Sequence, residues 1–334
     1  MFTSIIECVA RAGHRTPGTV FALVLALAAA GAAHAQQKVT YLLPAPAFLP
    51  AFGPWMLAKG KGYYADEGLD VEFKTARGGV DVAKQVGAGN AIIGGGIGDT
   101  SLIVRANGIP VKAVAVLGGG SLMILAADKD AGVERIEDLK GRTVTTMSYQ
   151  DTTFYALLGV LSSVGLTRND IDAQAAGPAN TWRLFIAGEA DAMAAVPDWI
   201  AIAEAQGKNM NLFPADEHFR SMAQAIIAAD ETIAKQPELI RKLVRATLRG
   251  MQDIMADPAA AAVDYVQAVP QHEGKEKAME AVFRLYNTYV YPGQSTLGAM
   301  DEARLAALQD FYVEEGIVRQ AVPVKDLYTN QFVE

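Results

Sequence analysis

Short apolar runs alternate along this chain with longer stretches in which apolar residues recur every three to four positions, and the alternation starts near Lys38. Residues 39–43, 69–73, 91–95 and 111–117 read as strands, with helical patterns over 55–67, 80–88 and 100–107 between them. A second series repeats the scheme: strands over 143–147, 171–175 and 192–196, and helices over 152–164 and 181–186. From Pro237 the pattern is mostly helical, with the main segments at 239–255, 259–268, 275–286 and 301–315. Two βα series followed by a helical tail predict an α/β fold built on parallel sheet.

The two series align with each other. Placing Ala88-Gly89-Asn90-Ala91 over Ala187-Gly188-Glu189-Ala190 brings Asp99 onto Asp198, Ala106 onto Ala205 and Gly108 onto Gly207 without a gap. Each unit is a helix end, a strand, an acid just after the strand and a helix closing at glycine. That pattern predicts two similar lobes with equivalent loops at the carboxyl ends of strands, where open α/β sheets bind ligands.

One of these loops, AIIGGGIGDTS at 91–101, looks at first like a phosphate cradle. The dinucleotide pattern counted from Gly94 and Gly96 needs a third glycine where Asp99 stands, and a Walker loop needs a Gly-Lys-hydroxyl run where the chain has Asp99, Thr100 and Ser101. The glycines therefore read as clearance for a tight turn and for a ligand approaching the backbone. Asp99 has two readings, a cap on the following helix or an acceptor for a ligand N–H or O–H, and Asp198 has the same two.

Composition narrows the function. Arg11 and Arg15 precede the apolar run 20–30, and Ala33-His34-Ala35 supplies a small-x-small cleavage pattern, so an export leader over 1–35 is expected. The run is shorter than the roughly 20 residues of a membrane span. Cys8, the only cysteine, lies within that leader and away from the cleavage point, so the exported chain is neither a lipoprotein nor a disulfide or thiolate protein. Without Arg11, Arg15 and Glu7, 29 basic and 37 acidic residues become 27 and 36, a net charge of about −9. With no basic block, nucleic acid is excluded as a partner.

Enzyme patterns are thin. His218 and His272 stand in separate stretches without metal-ligand spacing, and no G-x-S-x-G elbow occurs. More telling are aromatic residues at predicted strand ends: Phe48, Tyr149, Trp182 and Trp199. Four such rings favour an aromatic-lined pocket with a few polar groups. Arg77, before Gly78-Gly79, is the only base beside such a loop.

The segments KGYYADEGLDVEF (61–73), NGIPVKAVAVL (107–117), EDLKGRTV (137–144), SSVGLTRNDID (162–172), AGEADAMAAVPDW (187–199) and the tail from Asp310 to Val333 resemble those of ABC-transporter solute-binding proteins. The type is the one that groups thiamine-pyrimidine-synthase-like proteins with sulfonate, taurine and nitrate binders. The resemblance implies a periplasmic-binding-protein type II fold, two α/β lobes with a ligand cleft between them. It implies lobe 1 from 36–123 and 226–334, lobe 2 from 124–225, and crossing segments near 121–127 and 222–228.

Its implied role is capture of a small organic ligand by hinge closure in the periplasm and delivery to a membrane permease and its ATPase. It implies a monomer that is not an enzyme and needs no metal or cofactor. By position, lobe 1 contacts are expected from Phe48, Gly78, Gly79, Asp99, Thr100 and Gly119, and lobe 2 contacts from Tyr149, Thr152, Asn180, Asp198 and Trp199. Rings and acids favour a neutral aromatic or heterocyclic ligand, for instance pyrimidine-like. The alternatives are a sulfonate, taurine or nitrate binder of the same fold, a sensor module, and the eukaryotic pyrimidine-synthase branch. That last branch looks to a cofactor-bearing lysine, an active-site histidine and a cysteine-rich motif.

Overall fold

The computed structural model describes residues 36–333, so the export leader read over 1–35 lies outside the described residues. The first half runs β1 (Gln37–Leu43), α1 (Gly53–Gly60), α2 (Tyr63–Asp66), β2 (Leu69–Thr75), α3 (Gly79–Gly87), β3 (Ile93–Ile97), α4 (Thr100–Arg105) and β4 (Val111–Val116). The second series is β5 (Ile124–Asp128), β6 (Thr143–Thr146), α5 (Thr152–Ser163), β7 (Asp172–Ala175), α6 (Asn180–Ala187), β8 (Ala192–Ala195), α7 (Pro197–Ala205) and β9 (Met210–Pro214). It is followed by β10 (Gln224–Ala229), α8 (Asp230–Lys235), α9 (Pro237–Ala256), α10 (Pro258–Ala268), α11 (Glu276–Tyr289) and α12 (Glu302–Glu314).

The strands form two five-stranded sheets, ordered β2-β1-β3-β10-β4 and β7-β6-β8-β5-β9. Sequence pattern predicts parallel sheet, but each sheet is mixed. In the first, β10 runs antiparallel to β3 and β4; in the second, β5 runs antiparallel to β8 and β9. Each lobe thus takes its antiparallel strand after the chain has crossed from the other. These strands are almost wholly apolar and fully buried, IIAA in β10 and ILAA in β5, so they lack the alternation that marks a half-exposed strand.

The links between the sheets run over 117–123 and 215–223, and the segments 121–127 and 222–228 continue into β5 and β10. Under exchange of lobes, β1, β2 and β3 occupy the places of β6, β7 and β8, which is the equivalence that the Asp99 and Asp198 alignment implies. The helical pattern over 55–67 is two helices, because Gly62 takes a left-handed conformation (φ 77°) and ends the first.

The glycine run has a packing role. A Cβ on Gly94 would stand 2.2 Å from Val82 of α3, one on Gly96 2.9 Å from the Thr100 hydroxyl, and one on Gly98 2.8 Å from Met222. The clearance is filled by protein side chains, not held open for a ligand. It lets α3 and the second link close on β3.

Candidate ligand-binding site

Asp99 closes β3 and opens α4, and α4 draws no hydrogen bond from its side chain. The acid is 1% exposed. Its Oδ2 accepts from the Tyr312 hydroxyl of α12 at 2.5 Å, while Oδ1 is buried without a partner. The cap reading is therefore replaced by a tyrosine contact that leaves one acceptor free. Burial, with the charge of Asp151 adding to it, pushes the Asp99 carboxyl up to about 7 against the lowering effect of Tyr312.

Asp99 borders a recess shared by both lobes and both links. Its lining includes Ile97 and Asp99 from the first lobe, Leu122 and Met222 from the links, and Thr152 and Ala156 from α5 of the second lobe. The recess is a narrow gap, open in part to solvent and too tight to admit a water molecule. The Thr152 hydroxyl is, like Asp99 Oδ1, buried without a hydrogen-bond partner. Across from the acid, Tyr155 meets the Tyr312 ring edge-on at 5.5 Å. Two buried polar atoms of the recess residues, Asp99 Oδ1 and the Thr152 hydroxyl, thus stand without partners.

Asp198 occupies the equivalent place in the second lobe, in the first turn of α7 behind Pro197. It is 6% exposed, and its Oδ1 also lacks a partner. Burial pushes its carboxyl up to about 6, offset in part by the nearby Tyr286 hydroxyl, which is itself buried without a geometrically formed hydrogen bond. Tyr286 belongs to α11, which packs on α7, and its ring stacks on Tyr291 at 5.2 Å. Each acid at a strand end thus faces a tyrosine from the C-terminal helices. The two acids share no recorded partner, so they mark two positions along the interlobe region.

The other expected contacts scatter. The Thr100 hydroxyl accepts from the Ile97 amide at 3.0 Å and so closes its own loop. Gly78 takes φ 85° at the start of α3, and Gly79 lies against the Thr100 hydroxyl. Gly119 lines a second, larger cavity of about 220 Å³, partly open to solvent, with Arg220, Thr296 and Arg304. The Phe48 ring is 41% exposed, while its carbonyl accepts from Tyr265 and His272 at 2.6 and 2.7 Å.

Tyr149 is 40% exposed, donates to the Ala173 carbonyl at 2.7 Å and carries Arg168 over its ring. Asn180 and Arg77 are exposed, and Trp199 is half-buried against the core. Of the expected residues, the structure brings Asp99 and Thr152 together at one recess. The sequence reading misses Tyr312, Tyr155, Tyr286, Ser221 and Met222. Tyrosines in amphipathic helices read as core, and only the fold turns these toward acids far away in the chain.

Two mixed α/β sheets exchanging one strand each and joined by two crossing links make the periplasmic-binding-protein fold. Solved structures agree. The alkanesulfonate-binding protein SsuA from Xanthomonas axonopodis, bound to MOPS, superposes with a TM-score of 0.71 at 18% identity, covering 89% of this chain and 98% of that one. Among curated proteins, the riboflavin-binding protein RibY of Chloroflexus aurantiacus is 27% identical over 313 residues, 91% of this chain and 89% of that protein. A 4-amino-5-hydroxymethyl-2-methylpyrimidine phosphate synthase of Aspergillus parasiticus is 27% identical over 251 residues, 70% of this chain and 71% of that protein.

The profile described as NMT1/THI5 like matches residues 49–261, more than half of the chain. The protein belongs to the NMT1/THI5-like family.

Proposed function

We propose that this protein is the periplasmic solute-binding component of an ABC importer, and that it captures a small aromatic or heterocyclic ligand through N–H or O–H donors. The observation that carries the reading is the interlobe recess at Asp99, where a buried carboxylate oxygen and the Thr152 hydroxyl both lack partners. A ligand donor on Asp99 Oδ1 and an acceptor near Thr152 would satisfy both, and burial between lobes would supply the apolar share of affinity. The recess has no room for a ligand as it stands, so entry requires the lobes to part and binding to close them. The riboflavin-binding relative supports a ring with polar edges.

Sulfonate binding, which the SsuA likeness suggests, is disfavoured here because the recess carries an acid and, among its described lining residues, no lysine or arginine. The synthase relative favours a second reading, an enzyme of pyrimidine synthesis. Mass spectrometry of small molecules released from gently purified protein, followed by calorimetry with the recovered compound, tests the proposal. A bound ring compound with donor groups is expected. A sulfonate or nitrate, or a covalently held chromophore absorbing in the near ultraviolet, would overturn it.

A further inference from the structure

Arg304 is 5% exposed and lies at the start of α12, where it reaches both links at once. Its Nε donates to the Ser221 carbonyl at 2.6 Å and one Nη to the Gly119 carbonyl. The other Nη donates to the Ser121 hydroxyl at 3.0 Å and to the Asp216 carboxylate. Ser121 in turn donates to Asp216 at 2.9 Å. A second pair, Arg220 with Asp301 at 3.6 Å, ties the second link to the same helix end. One rigid guanidinium fork therefore holds 119–121 and 216–221 in a single register.

Residues 304, 308 and 312 recur every four positions on the buried stripe of α12. The last of them is Tyr312, whose hydroxyl holds Asp99. Eight residues of helix span about 12 Å, so one rigid element joins the links to the acid of the recess. Tyr312 also packs on Tyr155 of the opposite lobe. A change in how Asp99 is engaged cannot leave the helix that carries Arg304 untouched, because packed helices shift as units.

We propose that α12 couples the recess to the hinge, with Tyr312 positioning Asp99 and Arg304 positioning the two interlobe links through one helix. This rests on Asp99 being the ligand-facing acid, but its test needs no ligand.

Native-state hydrogen exchange of the solute-free protein reads the Gly119, Gly120 and Leu122 amides, which donate to Pro292, Val290 and Met222. Tyr312→Phe keeps the ring and removes the hydroxyl; Arg304→Lys keeps the charge and removes the fork. Each is expected to speed exchange at these amides about tenfold, the equivalent of one lost hydrogen bond to a charged group. The double variant is expected to exchange more slowly than the product of the two single effects predicts. Tyr64→Phe, which breaks the buried bond to Thr247 in the first lobe, serves as the control for general destabilisation.

Link exchange in Tyr312→Phe no faster than in Tyr64→Phe, or effects that simply multiply, would overturn the coupling. Should Arg304→Lys fail to fold, Ser121→Ala removes one acceptor of Arg304 and takes its place. Failure of the solute-binding reading would show separately, as the absence of any bound or bindable solute with the link behaviour intact.

Discussion

The Tyr312 hydroxyl donates to Asp99 Oδ2 at 2.5 Å and leaves Oδ1 buried and unpaired. One phenol thereby holds an acid that could have capped a helix and leaves it one unpaired oxygen at a residue that borders the interlobe recess. The unpaired oxygen is a cost to the fold that a ligand donor would relieve.

Replacing Asp99 with Asn tests that presentation directly. Above pH 7, where the Asp99 carboxyl is ionised and Oδ1 is an acceptor, Asn offers N–H donors where a ligand N–H or O–H needs an acceptor, so affinity for the solute recovered from the protein should fall about tenfold or more. Asp198→Asn, outside the recess, should weaken binding less than Asp99→Asn. Calorimetry measures the affinity and thermal unfolding the stability; intact affinity with a lowered Tm would show both acids to be structural.

The same variant changes how stability responds to pH. The folded state holds the Asp99 proton up to about 7, whereas the unfolded chain releases it near the ordinary carboxylate value of 3.8. The folded state therefore binds more protons between those values, and the contribution of this group to stability falls as pH rises through the window. The Tm of Asp99→Asn minus that of the wild type should increase between pH 4 and pH 7, by about 2 °C or more. A difference that stays flat would mean that Asp99 titrates normally.

Tyr286 and Tyr312 should behave oppositely without ligand. The Tyr312 hydroxyl is bonded to Asp99, so Tyr312→Phe should destabilise by about 1–3 kcal/mol. The Tyr286 hydroxyl is buried without a partner, so Tyr286→Phe should be neutral or stabilise by about 1 kcal/mol. Denaturant unfolding decides; equal losses would mean that Tyr286 holds Asp198 as firmly as Tyr312 holds Asp99.

Glycines of one run should also differ. Gly94→Ala drives a methyl to within 2.2 Å of Val82, a β-branched side chain packed in a helix, and should cost about 1–3 kcal/mol. Gly98→Ala meets the Met222 methyl at 2.8 Å, which can swing aside, and its Cβ at 3.0 Å, which must shift with the link by a few tenths of an ångström, and should cost about 1 kcal/mol, less than Gly94→Ala. A larger loss of stability at Gly98 would show that the second link is held more rigidly than Met222 implies.

Much of the architecture was legible in the residues. The strand-helix alternation to Val116, the second series and the C-terminal helices follow from local periodicity, and the strand-then-acid repeat marks Asp99 and Asp198. What periodicity could not reveal is β5 and β10: fully buried strands have no polar face, and their partners lie in a different stretch of chain. The same limit hid the helix break at Gly62, where one left-handed residue interrupts an otherwise helical pattern. Phe48 and Tyr149, aromatic and at strand ends, read as pocket walls, and the structure leaves both rings partly exposed.

By itself the sequence determined which residues are apolar, where most of the strands and helices run, and which carboxylates stand at strand ends, because those depend on neighbours within a few positions. The tertiary structure alone decided what those carboxylates meet. Asp99 and Tyr312 are 213 positions apart, and nothing local distinguishes a tyrosine that fills a core from one that holds an acid. That contact exists because the C-terminal helices fold back across the links between the lobes and are packed there as rigid bodies.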